Sequence, residues 1–244
     1  MNPDAKISRV LVGVDFDEAS ASALKMAGVL AAASKAELTV FHSAAQDAPA
    51  YFTADQIEAL EAERMRSRAE TADQLRSFAN QHLSRDVRVV VEDGPPQDAI
   101  VRLASSFDLV VVGTHRRHGA LRWWLGSVAE AVVRRSPCPV LVVPAGAVVS
   151  VRPAMILAAG GEDRAVDAWV DVLSTTFGGS VVRSLDIQQC APDRIENADL
   201  IVLPTLAGTG NRGQFEAIGQ VLKECVHPVL FVPSLDGIFE RSSS

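Results

Sequence analysis

Short apolar runs closed by polar or turn-forming residues alternate along this chain with segments of helical periodicity. Arg9 to Asp15 (RVLVGVD) is a run ending in a carboxylate, the pattern of a strand buried on both faces. Asp17 stands where a helix N-cap belongs, and Leu24, Ala27, Leu30 and Ala31 recur at helical spacing. Glu37 to His42 (ELTVFH) predicts a second strand, and the Pro49-containing stretch from Ser43 to Thr53 a loop. Ala54 to Leu83 lacks Gly and Pro and predicts one long helix, roughly 45 Å at about 1.5 Å per residue. Its apolar positions Ile57, Leu60, Leu75 and Phe78 flank a polar middle that is expected to be solvated. Further strands are expected at Arg88 to Glu92, Phe107 to Val112 and Pro139 to Val143, with helices at Gln97 to Ser105, behind Pro95 and Pro96, and Gly126 to Arg135. Strands separated by helices imply a parallel sheet with right-handed crossovers.

Two of the strand phrases occur twice. Phe107 to Thr114 reads FDLVVVGT and Ala198 to Thr205 reads ADLIVLPT; Cys138 to Pro144 reads CPVLVVP and His227 to Pro233 reads HPVLFVP. The shared Asp before the first run and the prolines bracketing the second favour duplication over chance likeness between buried strands. The second copy is shorter: strands at Ala154 to Ala158 and Ser180 to Asp186 around a helix from Asp163 to Phe177, a turn at Asp193 to Asn197, then the strand at Leu200. The long helix and third strand of the first copy have no counterpart. The boundary falls near Gly146 to Pro153, which gives units of residues 1–147 and 148–244, and Glu240 to Ser244 reads as a polar tail. The expected fold class is therefore α/β, with two tandem open parallel-sheet units ordered 3-2-1-4-5 in the first and shortened in the second. Both fifth strands are apolar and would be exposed as edges. The expectation is that they pair antiparallel within the chain, as a pseudo-dimer.

Composition narrows the function. Hydrophobic residues make up 48% and charged residues 22%, as in ordinary globular proteins, and a net charge of −7 disfavours nucleic acid as a partner. No apolar run approaches the ~20 residues of a membrane span. Met1 to Val10 carries Asp4, Lys6 and Arg9 and does not read as a secretory signal. Cys138, Cys190 and Cys225 form no CxxC pair and read as reduced thiols, so a cytoplasmic protein is expected.

In an open parallel sheet the ligand crevice lies beyond the carboxyl ends of the strands where the strand order reverses, here between strands one and four. Asp15 and Gly113 end those strands. The stretch from Gly113 to Val128, GTHRRHGALRWWLGSV, feeds a helix beginning at Gly126 and Ser127. Exposed amides at that helix start, with its dipole, make an anion site to which the Ser127 hydroxyl adds a donor or a cap.

With these residues in place, residues 7–144 resemble a universal stress protein domain. Nucleotide-binding members of that family carry Gly-x-x-Gly, nine residues, then Gly-Ser or Gly-Thr. The matching positions are Gly113, Arg116, Gly126 and Ser127, followed by the typical S-V-A-E-x-V helix (Ser127 to Val132) and the S-P-C-P-V-L-V-V ending (Ser136 to Val143). The resemblance implies that Asp15 holds the adenine or ribose side and that Ser43 and Val112 line the base pocket. It further implies that Gly113 lies against ribose and phosphates, and that Gly126, Ser127 and Val128 bind the phosphate chain of ATP, any Mg2+ or Mn2+ arriving with the nucleotide. Arg116 replaces the second motif glycine. Such a side chain either obstructs the approach of phosphate or bonds it directly, helped by Arg117 and His118.

The second copy is not expected to bind. Counting back from its last strand, Phe215 and Glu216 take the places of Gly126 and Ser127, and a carboxylate repels phosphate; Gly208, Gly210 and Gly213 lack the motif spacing. Gly160, Gly161, Glu162 and Asp163 bear only faint likeness to the loop of ATP pyrophosphatases and read better as a tight turn. His115 and His118 are three apart without metal-ligand partners in sequence. Trp123 and Trp124 precede the phosphate helix; one is expected to pack, the other to cover the nucleotide or meet a partner. No placed nucleophile or general base marks an enzyme, so at most a very slow ATPase is expected. Two functions compete: a nucleotide-responsive stress protein signalling to an unidentified protein partner, with a homodimer a further option, and an interaction module whose pocket is vestigial.

Overall fold

A computed structural model describes residues 6–44, 54–115, 125–149, 153–159, 163–184, 192–205 and 225–233, with residues 54–59 and 192 placed in their helices without their side chains. Nine strands form one sheet: β1 (Arg9–Gly13), β2 (Glu37–Ala44), β3 (Arg88–Asp93), β4 (Leu109–Thr114), β5 (Val140–Pro144), β6 (Met155–Ala159), β7 (Ser180–Ser184), β8 (Leu200–Thr205) and β9 (Val229–Pro233). The helices are α1 (Glu18–Ser34), α2 (Ala54–His82), α3 (Pro96–Ala104), α4 (Ser127–Arg135), α5 (Arg164–Phe177) and α6 (Pro192–Glu196). The order across the sheet is β3-β2-β1-β4-β5-β9-β8-β6-β7.

The continuous apolar runs become strands covered on both faces. On one face Val10, Val12, Val40 and Val111 join α1, Leu75 and Ala79 of α2, and α5. On the other Leu11, Phe41, Val110 and Val112 join α3 and α4. Alternate residues thus feed separate cores, because successive side chains of a strand point to opposite faces. The long helix behaves as its pattern predicts: Leu75 and Ala79 are buried near its C-terminal end while Met65, in the polar middle, is exposed.

All pairs within β1 to β5 and within β6 to β9 are parallel. The sheet reverses direction once, where β5 and β9 run antiparallel in the register Val140↔Phe231, Leu141↔Leu230 and Val142↔Val229. This is the expected meeting of the two apolar fifth strands. Leu141 and Leu230 occupy the same place in the repeated phrases, so a local two-fold relation passes between them, as in an isologous interface.

The repeat extends to side chains. Asp108 Oδ2 accepts from the amides of Ser8 and Arg9, both at 2.8 Å; Asp199 Oδ2 accepts from Ala154 and Met155 at 2.7 and 2.9 Å. The Asp that opens each repeated phrase therefore fastens the start of the neighbouring strand. The pattern β5-β4-β1-β2 recurs as β9-β8-β6-β7, without a partner for β7 equivalent to β3 among the described residues.

Several boundaries differ from expectation. β4 runs to Thr114 because Gly113 and Thr114 stay in register with Val143 and Pro144, and the Thr114 carbonyl accepts from Ala145 at 2.8 Å. Asp193 to Asn197 is not a plain turn: residues 192–196 form the short helix α6, where Asn197 N–H donates to the Asp193 carbonyl at 3.1 Å. Five residues offer too few positions to display a helical period. The turn read at residues 160–162, the loop at 45–53, and residues 206–224 with Phe215 and Glu216 lie outside the described residues.

Candidate functional site

The carboxyl ends of β1 and β4 diverge into a cleft of about 300 Å³, at the low end of the size range of small-molecule sites. Its lining includes Asp15, Ser43, Val112, Gly113, Gly126, Ser127 and Val128, which brings together seven of the eight residues singled out in the sequence. Arg116 lies outside the described residues, as do Trp123 and Trp124. Phe41, Pro96, Ile100 and Ala129 supply an apolar wall. A larger hollow of about 950 Å³ lies between the C-terminal ends of α1, α2 and α5. That is the opposite end of the strands from the one where open parallel sheets bind ligands.

Each element reaches the cleft for a local reason. β1 stops at Gly13, after which Val14 N–H donates to Phe41 at 2.8 Å and the Val14 carbonyl is held by His42 Nδ1 at 2.8 Å. The chain then turns through Phe16, whose φ of 56° is left-handed. Asp17 caps α1, with Oδ1 accepting from Ser20 N–H at 2.6 Å, and the Ser20 hydroxyl accepts from Asp15 N–H at 2.8 Å. This ring of short bonds leaves Asp15 exposed at the rim. Ser43 donates its hydroxyl proton to the Gly94 carbonyl, tying the end of β2 to the turn after β3.

The two glycines of β4 and α4 differ in kind. A Cβ on Gly113 would lie 2.5 Å from the carbonyl carbon and 2.6 Å from the oxygen of Ala19, so only glycine lets α1 pass this close to β4. Its side-chain direction is therefore spent on α1, while its backbone lines the cleft. Gly126 has φ −68° and ψ 161°, open to any residue, and the nearest atom to an added Cβ is Thr114 Oγ1 at 4.0 Å. No described residue stands where a side chain at this position would go.

Gly126 is the N-cap of α4 and brings no side-chain cap to the helix. Its own N–H donates to Thr114 Oγ1 at 3.1 Å and its carbonyl accepts from Glu130 at 2.9 Å. The amides of Ser127, Val128 and Ala129 thus occupy the first turn, where a helix offers them no acceptor, and the helix dipole adds positive potential. Val128 and Ala129 line the cleft beside exposed Ser127.

Three contributors escaped the sequence reading. Thr114 is buried and positions Gly126, a contact across twelve residues that no motif encodes. His42 and His115 both line the cleft. His115 Nε2 lies 2.6 Å from Asp17 Oδ2 although the two are 98 residues apart. Burial opposes ionisation of Asp17, but hydrogen bonds from Ser20 and His115 and the charge of His115 outweigh it and hold the carboxyl below its ordinary range.

Residues 6–144 match the profile of the Universal stress protein family. The chain belongs to that family. A universal stress protein of Methanocaldococcus jannaschii is 47% identical over 53 residues, 21% of this chain, and the match spans 31% of that relative's length. The crystal structure of a universal stress protein from Archaeoglobus fulgidus shares the fold over 95% of this chain and 98% of its own, with a TM-score of 0.64 at 15% identity. A universal stress protein solved in complex with cAMP is 29% identical, covering 58% of this chain and 99% of its own, with a TM-score of 0.39. The fold of this universal stress protein is thus similar to that of a solved structure of matching extent. No helix among the described residues is long and apolar enough to cross a membrane.

Proposed function

We propose that this universal stress protein binds an adenine nucleotide, ATP above all, in the cleft at β1, β4 and α4, and that occupancy changes its contacts with a protein partner. The start of α4 carries the reading: its first turn lines the cleft behind an N-cap glycine that brings no side-chain cap, with no described atom nearer than 4.0 Å to the place of its missing side chain. Such a position suits a phosphate, which accepts from the amides of Ser127 and Val128 and lies against Gly126, where a side chain would intrude. Asp15, at the other rim, accepts from a ribose hydroxyl or the adenine amino group, and Ser43 and Val112 flank the base against the apolar wall of Phe41 and Ile100. Arg116 stands in the motif where a glycine is usual and contacts phosphate in this reading. Any Mg2+ or Mn2+ enters with the nucleotide in this reading. The chain divides into a binding unit, residues 1–147, and a shortened unit, residues 148–244, that serves as its built-in dimer partner.

The alternative is an interaction module with a vestigial pocket, favoured by Arg116 and by a second copy that lacks the binding motif. Calorimetric titration of ATP separates the two. The wild type is expected to release heat on binding, and Gly126→Asp, which adds a carboxylate where no described atom lies nearer than 4.0 Å, is expected to lose at least about tenfold in affinity. A folded wild type that gives no heat leaves the interaction module standing.

A further inference from the structure

The hollow of about 950 Å³ between α1, α5 and the end of α2 has no part in the nucleotide reading and shares no described lining residue with the cleft. Its volume falls at the upper end of the range of small-molecule sites. Lys25, Gly28, Val29 and Ala32 lay one face of α1 along it, at the spacing of three, four and seven residues that a single helix face requires. Leu83 fills the place that a Cβ would take on Gly28, so the residue after α2 packs directly on that face. Phe177, at the end of α5, and Val149, between the two units, extend the apolar wall.

Three basic side chains, Lys25, His82 and Arg85, stand on the same hollow. Basic residues near helix ends commonly serve the last carbonyls, but here the backbone supplies those partners. Lys35 N–H caps Ala31 and Ala32 of α1, Leu83 N–H donates to Ala79 of α2 at 2.9 Å, and Gly178 N–H to Ser174 of α5 at 2.7 Å. Arg85 gives Nη2 to the Ala36 carbonyl at 3.1 Å, which engages one group of a five-donor guanidinium. Burial first, and then the charge of Lys25, hold His82 below the ordinary range of histidine, so the field of Lys25 reaches that ring.

We propose that this hollow is a second binding site, for a small apolar carboxylate whose head group lies among Lys25, His82 and Arg85 and whose body lies along Val29, Leu83 and Phe177. The bound anion offsets the repulsion between Lys25 and a protonated His82, and the guanidinium of Arg85 suits a carboxylate in particular. The body leaves water for the apolar wall. A bare anion gains only the first of these contributions and a neutral apolar molecule only the second. The site stands whether or not the cleft of the first unit takes a nucleotide.

The test titrates the full chain with decanoate, acetate and 1-decanol, below the concentration at which decanoate forms micelles, and follows backbone amides by NMR. Decanoate is expected to bind at least about tenfold more tightly than either acetate or decanol. It is expected to shift the amides of Val29, Leu83 and Phe177 and to leave Gly126 to Ala129 in place. Lys25→Glu reverses an exposed charge and is expected to weaken decanoate about tenfold while changing decanol less than about twofold. Ala33→Glu, at an exposed lining position in the last turn of α1, keeps all three basic groups and is expected to weaken decanoate about threefold to tenfold. It carries the same test should Lys25→Glu fail to fold. Acetate or decanol binding as tightly as decanoate overturns the two-part site. Decanoate affinity unchanged in the folded variants, shifts confined to other parts of the chain, or no binding of decanoate by wild type overturns the proposal.

Discussion

Phe16 holds a left-handed backbone that phenylalanine adopts at a cost of about 1–2 kcal/mol. Its ring is kept there by His42 at 4.8 Å and by Phe78 of α2 at 5.6 Å. Strain and ring contacts separate in a pair of variants: Phe16→Ala loses the contacts and keeps the strain, whereas Phe16→Gly loses both. Thermal unfolding is expected to find the glycine variant more stable than the alanine variant by about 1 kcal/mol, and the reverse order removes the strain from the account. The glycines divide similarly. Gly113→Ala drives a methyl into the Ala19 backbone and is expected to cost about 2–3 kcal/mol. Gly126→Ala meets no described atom nearer than Thr114 Oγ1 at 4.0 Å and is expected to cost at most about 1 kcal/mol in the same assay, alanine being the poorer N-cap. None of this was legible in the sequence, where both glycines belonged to one motif and Phe16 carried no mark of positive φ. A residue's reason for being glycine lies in what stands opposite it, and Ala19 and Thr114 become neighbours only through the fold.

At the scale of elements the central strands were legible because burial on both faces leaves them almost wholly apolar, as in Val10–Val12 and Val110–Val112, runs that need no period to be seen. Their ends were less so, since β4 continues to Thr114 only while β5 supplies register partners. The short helix α6 gave no period, and Asp17 was readable as a cap but not as the partner of His115. The repeat was visible in the phrases, and the Asp108 and Asp199 clamps give it a testable energetic form. Each carboxylate serves two strand-start amides. Replacing either with Ala is expected to cost about 1–2 kcal/mol, discounted for the partial exposure of these bonds. Denaturant unfolding is expected to give similar losses for the two. A loss at Asp108 with none at Asp199 would show that the second copy keeps the letter of the phrase without its structural work.

Across the whole molecule the sheet joins two sets of parallel strands through one antiparallel seam at β5 and β9. Buried strands on either side of Leu141 and Leu230 make this seam core rather than rim. A fragment of residues 1–147 would leave Leu141 and its neighbours on an open edge. Sedimentation is expected to find the fragment self-associated and the full chain relieved of that contact; a strictly monomeric fragment would contradict the built-in partner. In the proposed reading, covering β5 requires the strands of the second half and not a cleft of its own. What the architecture leaves to the first half is the α4 amide nest, and the account stands or falls there. Backbone amide NMR of the full chain during ATP addition tests it most directly. The largest shifts are predicted at Gly126, Ser127, Val128 and Ala129, with smaller ones at Asp15 and Ser43. Saturating ATP that leaves those four amides unmoved, or moves only residues elsewhere in the chain, would contradict it.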